Sequence, residues 1–369
     1  MRVALVTEYY YPSPGGITEH VFHLGKHLKA RGHDVTIVTS WCGGKNGVPP
    51  DLPVEYVGRS WPIFSNGSVA RCTVDLRAPA RLRKILAPGR FDILHVHSPL
   101  VPTLPLMAVL EAKCACVGTF HTHFRGSSLM RLFHPYLKRV AERLDGAVAV
   151  SPNAARSIRR YFDIECRIIP NGVDVAWFSQ GRPIARFNDG IPNVLFVGRL
   201  DPRNRLELLL DAFVRVRNRM RARLVIVGDG PARRSYEAMV PPSLREDVCF
   251  EGTVLRRQPD YYGSAHVFCF TASIASTPMT VIEAMAAGRP VVSFSVDGLD
   301  RVLQDGEEGL VVPDGDAASM ASAIERVLTD EVLAQRLGRK ARARAVKDFS
   351  WDRLVVEVEK YYTELLEQL

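Results

Sequence analysis

One carboxylate, Glu283, stands inside the mostly apolar stretch TPMTVIEAMAAGRPVV. A charge there is costly unless it is paired or holds a ligand. Glu283 is therefore expected either to be paired, as an acid capping a neighbouring loop would be, or to hold a ligand. Arg199 follows a glycine in Val197-Gly198-Arg199-Leu200, and its planar fork suits a diphosphate. Val227-Gly228-Asp229-Gly230-Pro231 and Phe250-Glu251-Gly252-Thr253 are further glycine turns, and with Gly198 they suggest one rim of a nucleotide pocket. Pro14-Gly15-Gly16-Ile17 is a fourth. Glycines there let backbone approach a ligand, and a following helix start offers free N–H groups to an anion. Its spacing is neither the dinucleotide fingerprint nor a P-loop, and a plain turn explains it equally well. His95/His97 and His121/His123 are i,i+2 pairs that share a strand face. No carboxylate or cysteine set at ligand spacing accompanies them, so no metal is expected. His95 and His97 then read as polar residues at a strand end, lining a cleft.

Strand and helix patterns alternate along the chain and must position these groups. Strands are expected at 2–7, 35–39, 93–96, 116–120, 147–150 and 167–169, with a helix from the first glycine turn to residue 31. Residues 168–193 are rich in turn formers and read as a linker. A second alternation follows, with strands at 194–197, 224–227, 248–250, 267–270 and 290–294 and a helix over 205–219. The final SWDRLVVEVEKYYTELLEQL reads as a Ser-capped amphipathic helix. The pattern implies an α/β protein of two doubly wound, parallel-sheet domains, with ligands bound at the carboxyl ends of the strands. At 369 residues one core would be unusually large, which also favours two domains.

Composition narrows the function. With 47% hydrophobic and 24% charged residues, the chain fits an ordinary globular protein. No uncharged apolar run reaches eighteen residues, which argues against a membrane span, and MRVALVTEYYYP turns polar too soon for a signal peptide. Seven cysteines without regular spacing fit a reducing compartment. Cys114 and Cys116 read as buried thiols, and the sequon at Asn66 carries little weight without a secretory signal. Residues 1–190 hold 24 Lys and Arg against 14 Asp and Glu, although the whole chain is only +8. The excess gathers in RAPARLRKILAPGR (77–90) and RGSSLMRLFHPYLKR (125–139). It is either a solvated basic face or a surface for anionic lipid, because Leu129, Met130, Leu132, Phe133 and Leu137 interleave with Arg131, Lys138 and Arg139. No nucleic-acid-binding signature is present, so nucleic acid is not an expected partner.

The motifs PGGITEHV, FHTHF, PNGVD, FVGRLDP, IVGDGP, IEAMAAGRPVV and DGEEGLVVPDGD, in this order, resemble those of the retaining nucleotide-sugar glycosyltransferases of family four. Those enzymes have the GT-B fold, and the phosphatidylinositol mannosyltransferase-like branch is the most similar. The resemblance implies two Rossmann-like domains facing a cleft. Residues 1–178 form the acceptor side, 179–349 the nucleotide-sugar side, and 350–369 a helix that returns to the first domain. It assigns Glu283 to the nucleotide ribose and Arg199 to the diphosphate, with catalytic weight. The backbone amides of Met279 and Thr280 form the anion-binding turn. Gly15, Gly16, Arg205 and Val254 belong to donor binding, and His121 to the transferred sugar.

Two positions depart from that pattern. The first acid of the "Glu, seven residues, Glu" motif falls on Ala275, which cannot receive sugar hydroxyls, and the diphosphate lysine falls on Asn204, flanked by Arg203 and Arg205. The implied activity is metal-independent, cofactor-free, retaining transfer of a hexose such as mannose. The donor would be a GDP- or UDP-sugar and the acceptor a lipid-linked, inositol-type or other polyol or saccharide. The setting would be cytoplasmic, peripheral at the inner face of the membrane, in glycolipid or polysaccharide biosynthesis. The alternative is a nucleotide-sugar-binding protein whose transfer activity is reduced or lost through Ala275.

Overall fold

A computed structural model describes the chain except residues 14, 42, 44–50, 66–67, 123–127, 255–256 and 274–276. It forms two compact units, Met1–Gly172 with Trp351–Leu369, and Val173–Ser350.

In the first unit the described strands are β1 (Arg2–Val6), β2 (Asp34–Trp41), β3 (Val54–Ser65), β4 (Ser68–Thr73), β5 (Ile93–His97), β6 (Ala115–Phe120), β7 (Gly146–Ala149) and β8 (Arg167–Ile168). They lie in the order β4-β3-β2-β1-β5-β6-β7-β8. All neighbours are parallel except the β3–β4 pair. RVALV and ILHVH are near-continuous apolar runs because helices cover both faces of a parallel sheet. The order reverses between β1 and β5, which opens a crevice above their carboxyl ends. The helices Gly16–Ala30 and Trp351–Gln368 pack on one face, burying Leu24, Leu28, Leu354, Val358 and Tyr362 against Val3, Leu5, Ile93 and Val117. Two glycines permit this close docking. A Cβ at Gly172 would lie 2.6 Å from the Trp351 ring, and one at Gly146 would lie 2.6 Å from the Tyr361 hydroxyl.

The second unit contains β9 (Asn193–Val197), β10 (Arg223–Val227), β11 (Val248–Gly252), β12 (Val267–Phe270), β13 (Val291–Phe294) and β14 (Gly309–Val312). The sheet order is β11-β10-β9-β12-β13-β14, all parallel. The reversal falls between β9 and β12. The loops after β9 and β10 interlock, since a Cβ at Gly228 would sit 1.9 Å from the Gly198 carbonyl oxygen. That explains the Gly228 turn without any ligand.

Among the described residues no helix is long and apolar enough to cross a membrane.

Candidate active site

In the second unit Glu283 projects from the helix Met279–Ala286, whose Val281, Ile282, Ala284 and Met285 are buried. The carboxylate is half-buried and accepts a hydrogen bond from the Tyr262 hydroxyl at 2.7 Å. Tyr262 is fully buried, and its hydroxyl also lies 3.2 Å from the Thr280 carbonyl. Burial, then the Glu283 charge, push the Tyr262 hydroxyl well above its ordinary pKa, so it remains a donor and fixes the carboxylate. Four residues upstream of Glu283, the helix begins with Met279 and Thr280, and no side chain caps it. Its first N–H groups therefore suit an anion.

Arg199 emerges just past β9, with a side chain 44% exposed and its Nε 3.8 Å from Asp201. Asn204 does not reach outward as a lysine could; its side-chain amide donates to the Arg199 carbonyl at 2.6 Å and so ties down the Arg199 turn. Arg203 pairs with the buried Asp201 at 3.0 Å. Arg205 donates to the Thr271 and Ala272 carbonyls, pairs with Asp314 at 2.6 Å and lies over the Phe294 ring. The two arginines flanking Asn204 are thus each engaged with a carboxylate, whereas Arg199 holds its neighbour only loosely. Val254, past β11, is half-buried against the second unit's core. Ala275 lies outside the described residues.

In the first unit, Gly15 and Gly16 open the helix Gly16–Ala30, which also has no side-chain cap. No described atom lies within 4 Å of a Cβ built at either position. The fold gives no steric reason for glycine there, in contrast to Gly228.

His121 follows β6, and its Nε2 lies 2.9 Å from Nδ1 of His97, at the end of β5. His20, from the Gly16–Ala30 helix, packs edge-on to both, with ring centroids at 4.8 Å from His121 and 5.3 Å from His97. The cleft-lining expectation for His95 and His97 needs correcting, because both are about 1% exposed. Strand alternation turns both rings to the same face, where His95 meets Tyr362 of the helix Trp351–Gln368 and His97 meets His20 of the helix Gly16–Ala30. His95 is bonded through both ring nitrogens, to the Tyr362 hydroxyl and to Thr119 Oγ1, each at 2.5 Å. Burial dominates the titration of all four imidazoles. It lowers His20 to about 4 and His95 to about 3, and it holds His97 and His121 well below their usual value. At neutral pH His121 is an uncharged hydrogen-bonding group. His123 lies outside the described residues.

Sequence reasoning did not find Tyr262, the anchor of Glu283, or His20. His20 is four residues after Gly16, and that helical spacing was the available signal.

Residues 14–177 match the family model for Glycosyltransferase Family 4, and residues 191–330 match that for Glycosyl transferases group 1. The phosphatidyl-myo-inositol mannosyltransferase of Mycobacterium leprae is 34% identical over 375 residues, spanning 98% of this chain and 96% of that protein. Among solved structures, sucrose-phosphate synthase from Thermosynechococcus elongatus superposes with a TM-score of 0.76 at 22% identity, covering all of both chains. Anabaena HepE in complex with UDP gives 0.78 at 16% identity, over 99% of this chain and all of that one. The likeness to the mannosyltransferase runs through both units. The chain belongs to glycosyltransferase family 4 and is a glycosyltransferase of the GT-B fold.

Proposed function

We propose that the chain moves a hexose, mannose in the first instance, from a GDP- or UDP-sugar to a lipid-linked or inositol-type acceptor with retention of configuration. The observation that carries this reading is the grouping in the second unit. Glu283, held by Tyr262, stands one turn from an uncapped helix start, which suits a ribose diol beside a phosphate. Arg199, past the adjoining end of β9, supplies the charge for the diphosphate. The mannosyltransferase name of the M. leprae relative and the UDP bound to HepE support the acceptor and donor classes.

In the reaction the acceptor oxygen bonds to the anomeric carbon as the bond from that carbon to the diphosphate breaks. The acceptor proton passes to a departing diphosphate oxygen on the same face. Arg199 and the Met279 and Thr280 amides stabilise the charge growing on the leaving group, while neutral His121 positions a sugar hydroxyl. No step in this scheme requires a metal.

The first unit also supports a membrane-facing role at an anionic inner surface. Leu132, Phe133 and Tyr136 are 73%, 48% and 49% exposed, beside Arg131, Lys138 and Arg139. The short helices Ser128–Leu132 and His134–Ala141 carry this patch.

The test is a transfer assay with GDP-mannose, UDP-glucose and related donors against phosphatidylinositol, free inositol and simple saccharides, with the product anomer read by NMR. An α-linked product from an α-linked donor is expected. Donor binding without turnover on any acceptor would replace this reading with a nucleotide-sugar-binding protein.

A further inference from the structure

We infer that His20, His97 and His121 form a binding site for a divalent transition-metal ion of the zinc class, and that its occupancy inhibits transfer. The three residues come from different elements, the first turns of the Gly16–Ala30 helix, the end of β5 and the position after β6. One ring nitrogen of each lies within 4.8 Å of those of the other two. Three imidazoles with an open fourth position are a recurring zinc donor set. Closing the nitrogens to about 3.3 Å, the edge of a tetrahedron with Zn–N bonds of about 2.0–2.1 Å, requires only modest ring movements.

Two members of the set carry an unoccupied ring nitrogen. Nδ1 of His20 and Nε2 of His97 are buried and have no hydrogen-bond partner among the described residues. Buried polar atoms without partners are uncommon and costly. His95 stacks on His97 at 4.6 Å, yet both its nitrogens are occupied, so it serves the fold and stays outside the set. The remaining surroundings can brace the ligands. The buried Asn171 Oδ1 has no hydrogen-bond partner among the described residues, and the Trp351 ring packs 5.0 Å from His20.

The donor chemistry sets the selectivity. Imidazole suits zinc, copper, nickel and cobalt, whereas magnesium and calcium prefer oxygen ligands. A bound ion would occupy a lone pair of His121 or pin its ring, withdrawing it from the sugar. This inhibitory half rests on the proposed function; the binding half does not.

The experiment uses the full chain after EDTA treatment and dialysis. Co2+ titration should produce the intense visible bands of a low-coordinate nitrogen site at one equivalent, and Zn2+ should displace it. His20→Ala and His97→Ala should each weaken Co2+ binding at least tenfold, with His20→Gln as a second variant should alanine disturb folding. His23 and His27, an i,i+4 pair on the same helix, provide the control, and His23→Ala/His27→Ala should leave the bands intact. No such bands in the wild type, or bands lost only in the control, would overturn the site. Zn2+ should inhibit transfer and EDTA should restore it, with Mg2+ inert. Stoichiometric binding without inhibition would leave the site standing, overturn its inhibitory role and remove His121 from the transfer step.

Discussion

Replacing Glu283 with Gln separates the carboxylate's two duties. Gln keeps an acceptor oxygen for the Tyr262 hydroxyl, now 2.7 Å from Glu283, and Thr280 offers that hydroxyl a second acceptor at 3.2 Å. The change in stability should therefore stay within about 1 kcal/mol, the net value of one hydrogen bond. Glu283→Ala instead leaves the fully buried hydroxyl with the Thr280 carbonyl alone, and should cost about 1–3 kcal/mol. Binding should respond differently. Hydrogen bonds to a charged group contribute about 1.5–3 kcal/mol, so Glu283→Gln should weaken the preferred nucleoside diphosphate by roughly ten- to 150-fold. The assay is calorimetric titration of both proteins with that nucleotide and with its 2',3'-dideoxy analogue. Wild type should lose affinity for the analogue, whereas the Gln variant should hardly distinguish the two ligands. Equal losses on the analogue in both proteins, or unchanged affinity in the variant, would refute the ribose assignment.

Arg199→Ala should weaken a nucleoside diphosphate far more than the free nucleoside, and equal losses in titration would place Arg199 away from the diphosphate. Ala275→Glu should raise kcat/KM by about 1.5–3 kcal/mol of transition-state stabilisation, roughly ten- to a hundredfold, with nucleoside diphosphate affinity unchanged; a fall in activity would mark Ala275 as fitted to its own sugar. Combined substitution of Arg131, Lys138 and Arg139 should reduce sedimentation with anionic liposomes, as should added salt; wild type that ignores such liposomes at low salt would sink the membrane reading. His20 has a folded pKa below its unfolded value, so its contribution is complete above about pH 6.5 and is lost as pH falls toward about 4, on the order of 3 kcal/mol. Urea midpoints should drop across that window, and a flat profile would contradict the burial.

Most of the fold was legible because runs such as RVALV and NVLFV can only be strands buried on both faces. The β3–β4 pair was missed. Asn66-Gly67 stands between those strands in the sequence, and this dipeptide is a strong hairpin signal, which the overlapping sequon Asn66-Gly67-Ser68 obscures. The four-residue β14 was too short to stand out within a glycine-rich motif. Glu283 and Arg199 were visible because each is a charge in a setting that makes charge costly or useful. Tyr262 was not, since an apolar-looking helix residue becomes a carboxylate's partner only through tertiary packing. The meeting of His20 with His97 and His121 was hidden for the same reason. Neighbours in sequence suggested His95 with His97, whereas the sheet and helix brought His20 to His97 and His121 and took His95 into the core.

The first unit is sewn from two distant pieces of chain, and this imposes an order on biosynthesis. The helix Trp351–Gln368, which covers Val3, Leu5, Ile93 and Val117, leaves the ribosome only after all of Val173–Ser350. At about 5–20 residues per second, the nascent sheet waits roughly ten to forty seconds with that apolar face incompletely roofed. The second unit is contiguous and can close by itself in the interval. A nonsense mutation just before Trp351 would thus yield a finished second unit joined to a first unit with an exposed core, a species marked for chaperones and proteases.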